Sequence, residues 1–222
     1  TTVVPSVLTT AGAFAGRFAW GPANKRITVS SESELNKKFG NPDNNNYASY
    51  FTAASFLAYG NNLKVVRAVA SGTYNADSGS GSSLQIKNED DFDATYLRAD
   101  NADLYGAFVA RYPGALGSSL KVQVADSASY SAWAYKSYFA GAPGTSAEAA
   151  AAGASNDEMH VIVIDAGGLF TGTKDTILET FSFLSKGSDA TDSLGNSNYY
   201  RNYIFNNSIL LLIKIQLIIV II

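Results

Sequence analysis

No cysteine occurs among the 222 residues, which excludes disulfide frameworks, thiolate metal sites and cysteine nucleophiles together and leaves the redox compartment unreadable. Histidine is nearly as scarce. His160 is the single imidazole, so a Ser-His-Asp arrangement has one candidate base and a His-rich metal site has none. Charge is thin: Lys, Arg, Asp and Glu make up 16% of the chain, against about a quarter in ordinary soluble domains. A net charge of −3 gives no basic footprint able to displace counterions from phosphates, so nucleic acid is not an expected partner. The start, Thr1 to Ser6, lacks a basic segment leading into an apolar one, so no signal peptide is expected and the beginning reads as trimmed.

What the chain has is apolar surface. Hydrophobic residues reach 46%, with 13 Tyr and 12 Phe, the opposite of a disordered composition and enough for one large domain, or one domain with a small appendage. Ala11 to Trp20, stopped by Gly21-Pro22, reads as a buried strand ending in a turn. Ser31-Glu32-Ser33-Glu34 predicts a capping box opening a helix through Phe39. From Tyr47, the positions Tyr50, Phe51, Ala54, Leu57 and Ala58 recur at helical spacing, with core packing as the expected use of the rings and Gly60 as a left-handed cap. Leu63 to Val69 is a short β-branched strand. Eight of the thirteen residues from Ser71 to Ser83 are Ser or Gly, which predicts a flexible loop.

Beyond it, Tyr105 to Tyr112 and Leu120 to Val124 read as a hairpin with a wide loop. Met159 to Ile164 is continuously apolar, as in a strand buried on both faces. Thr176 to Ser185 is another strand or short helix, and Ser197 to Phe205 is rich in tyrosine but has no clear period. The last fifteen residues, Ser208 to Ile222, hold twelve Ile, Leu or Val. As a helix they would span about 22 Å, short of the roughly 30 Å hydrocarbon core, with Lys214 in the middle, so a membrane anchor is not expected. A strand running on into further sequence, a truncation or a reading-frame shift is the expectation for this tail.

Chemical motifs are few. Asp91-Phe92-Asp93-Ala94-Thr95 matches the D-x-D-x-T spacing of magnesium-dependent phosphatases, in which Asp91 would be nucleophile and Asp93 general acid. That chemistry needs a buried strand just before the first carboxylate, and Lys87-Asn88-Glu89-Asp90 stands there instead, as in a solvated turn or helix start. His160 lies in an apolar strand with no G-x-S-x-G elbow to activate, which favours a structural role. Gly79-Ser80-Gly81 is followed by no Lys-Ser or Lys-Thr pair and is a linker, not a phosphate loop. Asn206-Asn207-Ser208 is a formal glycosylation sequon with meaning only in a secreted eukaryotic protein. Residues alone therefore describe an α+β domain with mixed, sandwich-like β-sheets flanked by a few helices, non-catalytic, with no cofactor or metal, built for packing and assembly.

Four blocks then join in order: Ala13-Phe14-Ala15-Gly16-Arg17-Phe18-Ala19-Trp20-Gly21-Pro22, Phe39-Gly40-Asn41-Pro42, Phe56-Leu57-Ala58-Tyr59-Gly60-Asn61-Asn62-Leu63 and Val65-Val66-Arg67-Ala68-Val69. Together with Ala110-Arg111-Tyr112-Pro113-Gly114-Ala115-Leu116-Gly117, Leu120-Lys121-Val122, Ser185 to Ala190 and Asn198-Tyr199-Tyr200, they resemble the tail sheath proteins of contractile-tailed bacteriophages, from about Thr1 to Ser208. The resemblance implies a subunit that stacks as hexameric rings around a tail tube and contracts to drive the tube through a host envelope. The related sheath of a contractile injection device or phage-like bacteriocin is the alternative. It implies as partners further copies of the chain, the tail tube protein, and baseplate and tail terminator proteins, in the virion tail and, during assembly, the host cytoplasm. Residues 1–10 would form the base of an N-terminal linker arm, with Thr2, Val3, Val4 and Val7 in the subunit linkage. Residues 11–207 would be the sheath body with its flexible loop at 71–83, and 208–222 the anomalous tail. Family members are usually much longer, and some insert an outward-facing domain where this chain has the 71–83 loop.

Overall fold

The computed structural model describes residues 11–79, 83–96 and 106–213. They form an α+β protein in two compact units, one drawn from residues 11–75, 83–96 and 112–116 and the other from 76–79, 106–111 and 117–213.

The first unit is built on a three-stranded mixed sheet. Strand β1 (Gly12–Gly16) lies parallel to β3 (Leu63–Arg67), and β2 (Arg26–Val29) pairs antiparallel with β3 on its other side, giving the order β1-β3-β2. Registers Phe14↔Val65 and Ile27↔Val65 put these three side chains on one face. Helices α1 (Glu32–Phe39) and α2 (Tyr47–Leu57) cover that face, and Val29, Leu35, Phe39, Tyr50, Leu63 and Val65 form its core with Phe18. The opposite face, with Ala13, Ala15, Arg26 and Thr28, is exposed. The strand expected over Ala11 to Trp20 is therefore shorter and only half buried, because a sheet covered on one side buries alternate residues. Phe18 and Trp20 are buried beyond its end.

Helix α1 starts as the sequence indicates: Ser31 Oγ accepts from the Glu34 N–H at 3.2 Å. The return half of the box shifts by one residue, since Glu34 Oε2 accepts from the N–H and hydroxyl of Ser30 at 2.8 Å each, not from Ser31. With Lys38 added at 2.6 Å, these donors hold the Glu34 carboxyl at about 2. The end of α2 differs from expectation. Its cap is Ala58 in right-handed helical geometry, Gly60 is not in the left-handed region, and what Gly60 supplies is room, because a Cβ there would stand 2.9 Å from the Phe56 ring. Residues 73–75 then run beside 84–86: the Asn75 N–H donates to Leu84 O at 2.8 Å, and the Asn75 side chain brackets Ile86.

The second unit contains an antiparallel meander of β5 (Leu120–Asp126), β6 (Glu158–Asp165) and β7 (Thr176–Ser185), and a two-stranded antiparallel sheet of β4 (Phe108–Ala110) with β8 (Leu211–Ile213). The expected hairpin is thus absent: β4 pairs with β8 and β5 with β6. Alternation identifies a strand but carries nothing about its partner, and β8 is about a hundred residues away in sequence. Strand β6 is central and buried on both faces, as its composition predicts. Tyr130, Trp133 and Phe139 pack over Ile162 and Ile164 on one side. On the other, the Phe181 ring meets Tyr203 of helix α5 (Tyr200–Asn207) edge to face. The short helix α4 (Ala147–Ala151) belongs to this unit, and α3 (Glu89–Asp91) to the first. At the tail, Leu210, Leu211, Leu212 and Ile213 are buried, in keeping with a strand; residues 214–222 lie outside those described.

Candidate functional site: an open strand edge and its latch

Parallel pairing fixes which way the backbone of β1 points. The Gly12 N–H donates to Asn62 O at 3.0 Å, and Gly16 O accepts from the Ala68 N–H at 2.8 Å. By alternation, the N–H and C=O groups of Ala13 and Ala15 are directed away from β3. Among the described residues no strand lies beyond them. The edge is uncharged at both alanines, whereas edge strands are commonly blocked by charge, proline or bulges. It closes at Arg17, whose N–H donates to Ser49 Oγ of α2 at 3.1 Å. Thr2, Val3, Val4 and Val7, the residues expected in the subunit linkage, lie outside the described residues.

A buried arginine holds the chain that follows β1. Arg67, at the end of β3, donates through Nε to Phe18 O at 3.0 Å, through Nη1 to Gly21 O at 2.8 Å, and through Nη2 to Ala19 O at 3.3 Å and Pro113 O at 2.7 Å. A planar fork of donors is what four carbonyls from two separate segments require. Burial pulls the guanidinium down to about 10, with Tyr112 opposing, and it still carries its charge at neutral pH. Gly21 permits the turn: its φ is +96°, and a Cβ there would come within 2.5 Å of Lys38 O. Beside the latch lies a cleft of about 500 Å³ lined by Arg17, Asp43, Asn45 and residues 67–70. The four motif blocks from Ala13 to Val69, with Pro113 of a fifth, therefore meet in one arrangement, strand edge, turn and latch, though their roles were not visible in the residues themselves.

The second unit gathers polar groups into closed knots. Asp165 is buried; it accepts from the Ser119 hydroxyl, from the Phe170 and Thr171 N–H groups at 2.9 and 2.8 Å, and from the Thr171 hydroxyl at 2.9 Å. Burial alone would raise its pKa, but these donors outweigh it and hold the carboxyl below 3.8. Asp157 is held in the same way by Ser146 and Ser185. Around Glu179 burial wins and its carboxyl is pushed up, although Ser208 and the Ile209 N–H donate to it.

Among the described residues are Asp91, Asp93 and His160, the candidates for catalysis in the sequence. Asp91 Oδ2 accepts from the Lys87 N–H at 3.0 Å, while its own N–H donates to Asn88 Oδ1, a reciprocal helix start. Asp93 is exposed on the following turn. Among the described residues, no group of three or more His, Asp or Glu is placed to hold a metal ion. His160 is fully buried, stacked on Phe139 at 4.3 Å, with Nε2 on Gly141 O at 2.8 Å and Nδ1 accepting the Phe183 N–H at 3.0 Å. It is a structural residue, as its surroundings in the sequence suggest. Among the described residues no helix is long and apolar enough to cross a membrane.

This fold and its open edge belong to a chain related to the tail sheath proteins of contractile-tailed bacteriophages. Residues 9–68, which contain the whole β1-β3-β2 sheet, match the family model described as tail sheath protein Gp18 domain III N-terminal region. The tail sheath protein of Salmonella phage ViI is 31% identical over 168 residues, 75% of this chain. Those of Vibrio phage KVP40 and Enterobacteria phage T4 are 49% identical over 55 residues and 43% over 72, or 25% and 31% of the chain. The matched lengths are 24%, 8% and 11% of these relatives, so the chain spans a quarter or less of each.

Proposed function

We propose that the chain is a structural subunit of a contractile bacteriophage tail sheath, assembling with copies of itself as stacked hexameric rings around a tail tube. The observation that carries this reading is the 168-residue similarity to the Salmonella phage ViI sheath protein. The work is mechanical: subunits pack in an extended arrangement and pass to a shorter, wider one when released at the baseplate, a population shift between two packings with no bond broken in any substrate. Its partners are other copies, the tail tube protein, and baseplate and tail terminator proteins. The subunit is non-catalytic, is assembled in the host cytoplasm and acts in the virion tail. Through Thr2, Val3, Val4 and Val7, the arm would add a strand to a neighbour's sheet, and the uncharged edge at Ala13 and Ala15 is suited to receive one, since main-chain hydrogen bonds hold while bodies rotate.

Negative-stain microscopy of the protein carrying this chain tests the reading. Hollow sleeves with six-fold end views are expected, and replacing Val3 and Val4 by Asp is expected to abolish them while the circular dichroism spectrum is retained. A protein that stays monomeric at every concentration tried would overturn it.

A further inference from the structure

Helix α2 places its aromatic residues where periodicity does not. Tyr50, Ala53 and Ala54 are buried, whereas Tyr47 is 58% and Phe51 54% exposed, and Tyr59, just past the helix end, is 94% exposed. At 100° per residue, Tyr47, Phe51 and Tyr59 fall within an arc of about 120° directed away from the sheet. Ala48 and Ser55 lie in the same arc and are also exposed. None of the eleven residues of α2 is charged.

We infer that this outward face of α2 is a docking surface for a second copy of this chain. Fully exposed aromatic residues present about 150–250 Å² each, so the three rings leave roughly 400 Å² bare, about half of the roughly 800 Å² that one partner contributes to a stable interface. Apolar patches of that size on a lone protein mark contact surfaces. A face without charge offers nothing to a strongly acidic or basic partner, and it can enter an interface between identical chains without leaving an unpaired ion. Small side chains between the rings let another backbone approach. The inference rests on the sheath reading for the presence of many copies, and it adds where one copy touches the next.

The test uses the absence of cysteine from the chain. In the full chain, Ser55→Cys is labelled with a benzophenone and irradiated, with Ser188→Cys as the control position, and the cross-linked peptides are identified by mass. Self-association of the unlabelled chain and of a Phe51→Ser, Tyr59→Ser variant is followed by sedimentation, and both residues are exposed enough for the fold to be retained. The expected result is a chain-to-chain adduct at position 55 and a roughly tenfold or larger rise in the self-dissociation constant of the variant. Unchanged self-association, or an adduct at position 55 only to a different protein, overturns the inference and leaves the sheath reading standing. No self-association of the parent chain overturns both.

Discussion

Arg67 shows what a buried cation does when backbone carbonyls meet it. Its charge is spread over four carbonyl dipoles from residues 18, 19, 21 and 113, so the residue ties the turn after β1 to a distant loop. Replacing it by Met leaves those acceptors without their donor, and urea denaturation should show a loss of roughly 3 kcal/mol; Lys should recover only part, having the charge without the fork. Asp165 makes the matching anionic case. Its folded-state pKa lies below the ordinary 3.8, so its contribution is complete above that value and is lost as the pH falls through the lower, folded one. Melting temperature is therefore expected to drop as the pH is taken below about 4, and Asp165→Asn should melt lower at neutral pH with a shallower acid slope. Little of this was legible beforehand. An arginine in a β-branched strand and an aspartate ahead of two glycines are visible in the sequence, but the carbonyls and hydroxyls that meet them come from segments up to about fifty residues away.

At the scale of elements, local signals were read well and long-range ones poorly. The Ser31 cap, the turn at Gly21 and the doubly buried β6 follow from short-range rules, since each is decided within a few residues. The β4–β8 pairing is not local, and the same alternation suited a hairpin that does not form. Helix α2 misled because its eight apolar positions satisfy more than one arc, and only the sheet beneath decides which is covered. Strand β7 carries a register shift opposite β6, between Met159 and Val161, where Phe183 sits at φ +53°. Its N–H goes to His160 Nδ1 and its C=O to Asn198 Nδ2 at 2.8 Å. The histidine thus completes a β-bulge, replacing a missing ladder bond. His160→Phe keeps the stack on Phe139 and strands the Phe183 N–H, so we expect a loss of about 1–3 kcal/mol by denaturant titration, with Asn198→Ala similar in size.

For the molecule as a whole, composition excluded thiol and histidine-cluster chemistry and made nucleic acid an unexpected partner, and motif blocks rather than periodicity led to the sheath family. The four blocks from Ala13 to Val69 lie on β1, α2, β3 and the turns and latch around them, all but Val69 within the part that the family model covers at 9–68, and the remaining blocks lie beyond it. The open edge left no mark of its own: two alanines look the same whether paired or not. If the chain is a sheath subunit it acts only in numbers, so the decisive observation is where it resides. Gold-labelled antibodies against this chain, applied to particles released by the producing cells and viewed by electron microscopy, should decorate contractile tails evenly along their length, in both the extended and the shortened state. Label confined to capsids, membranes or a single point at the tail end would contradict the account.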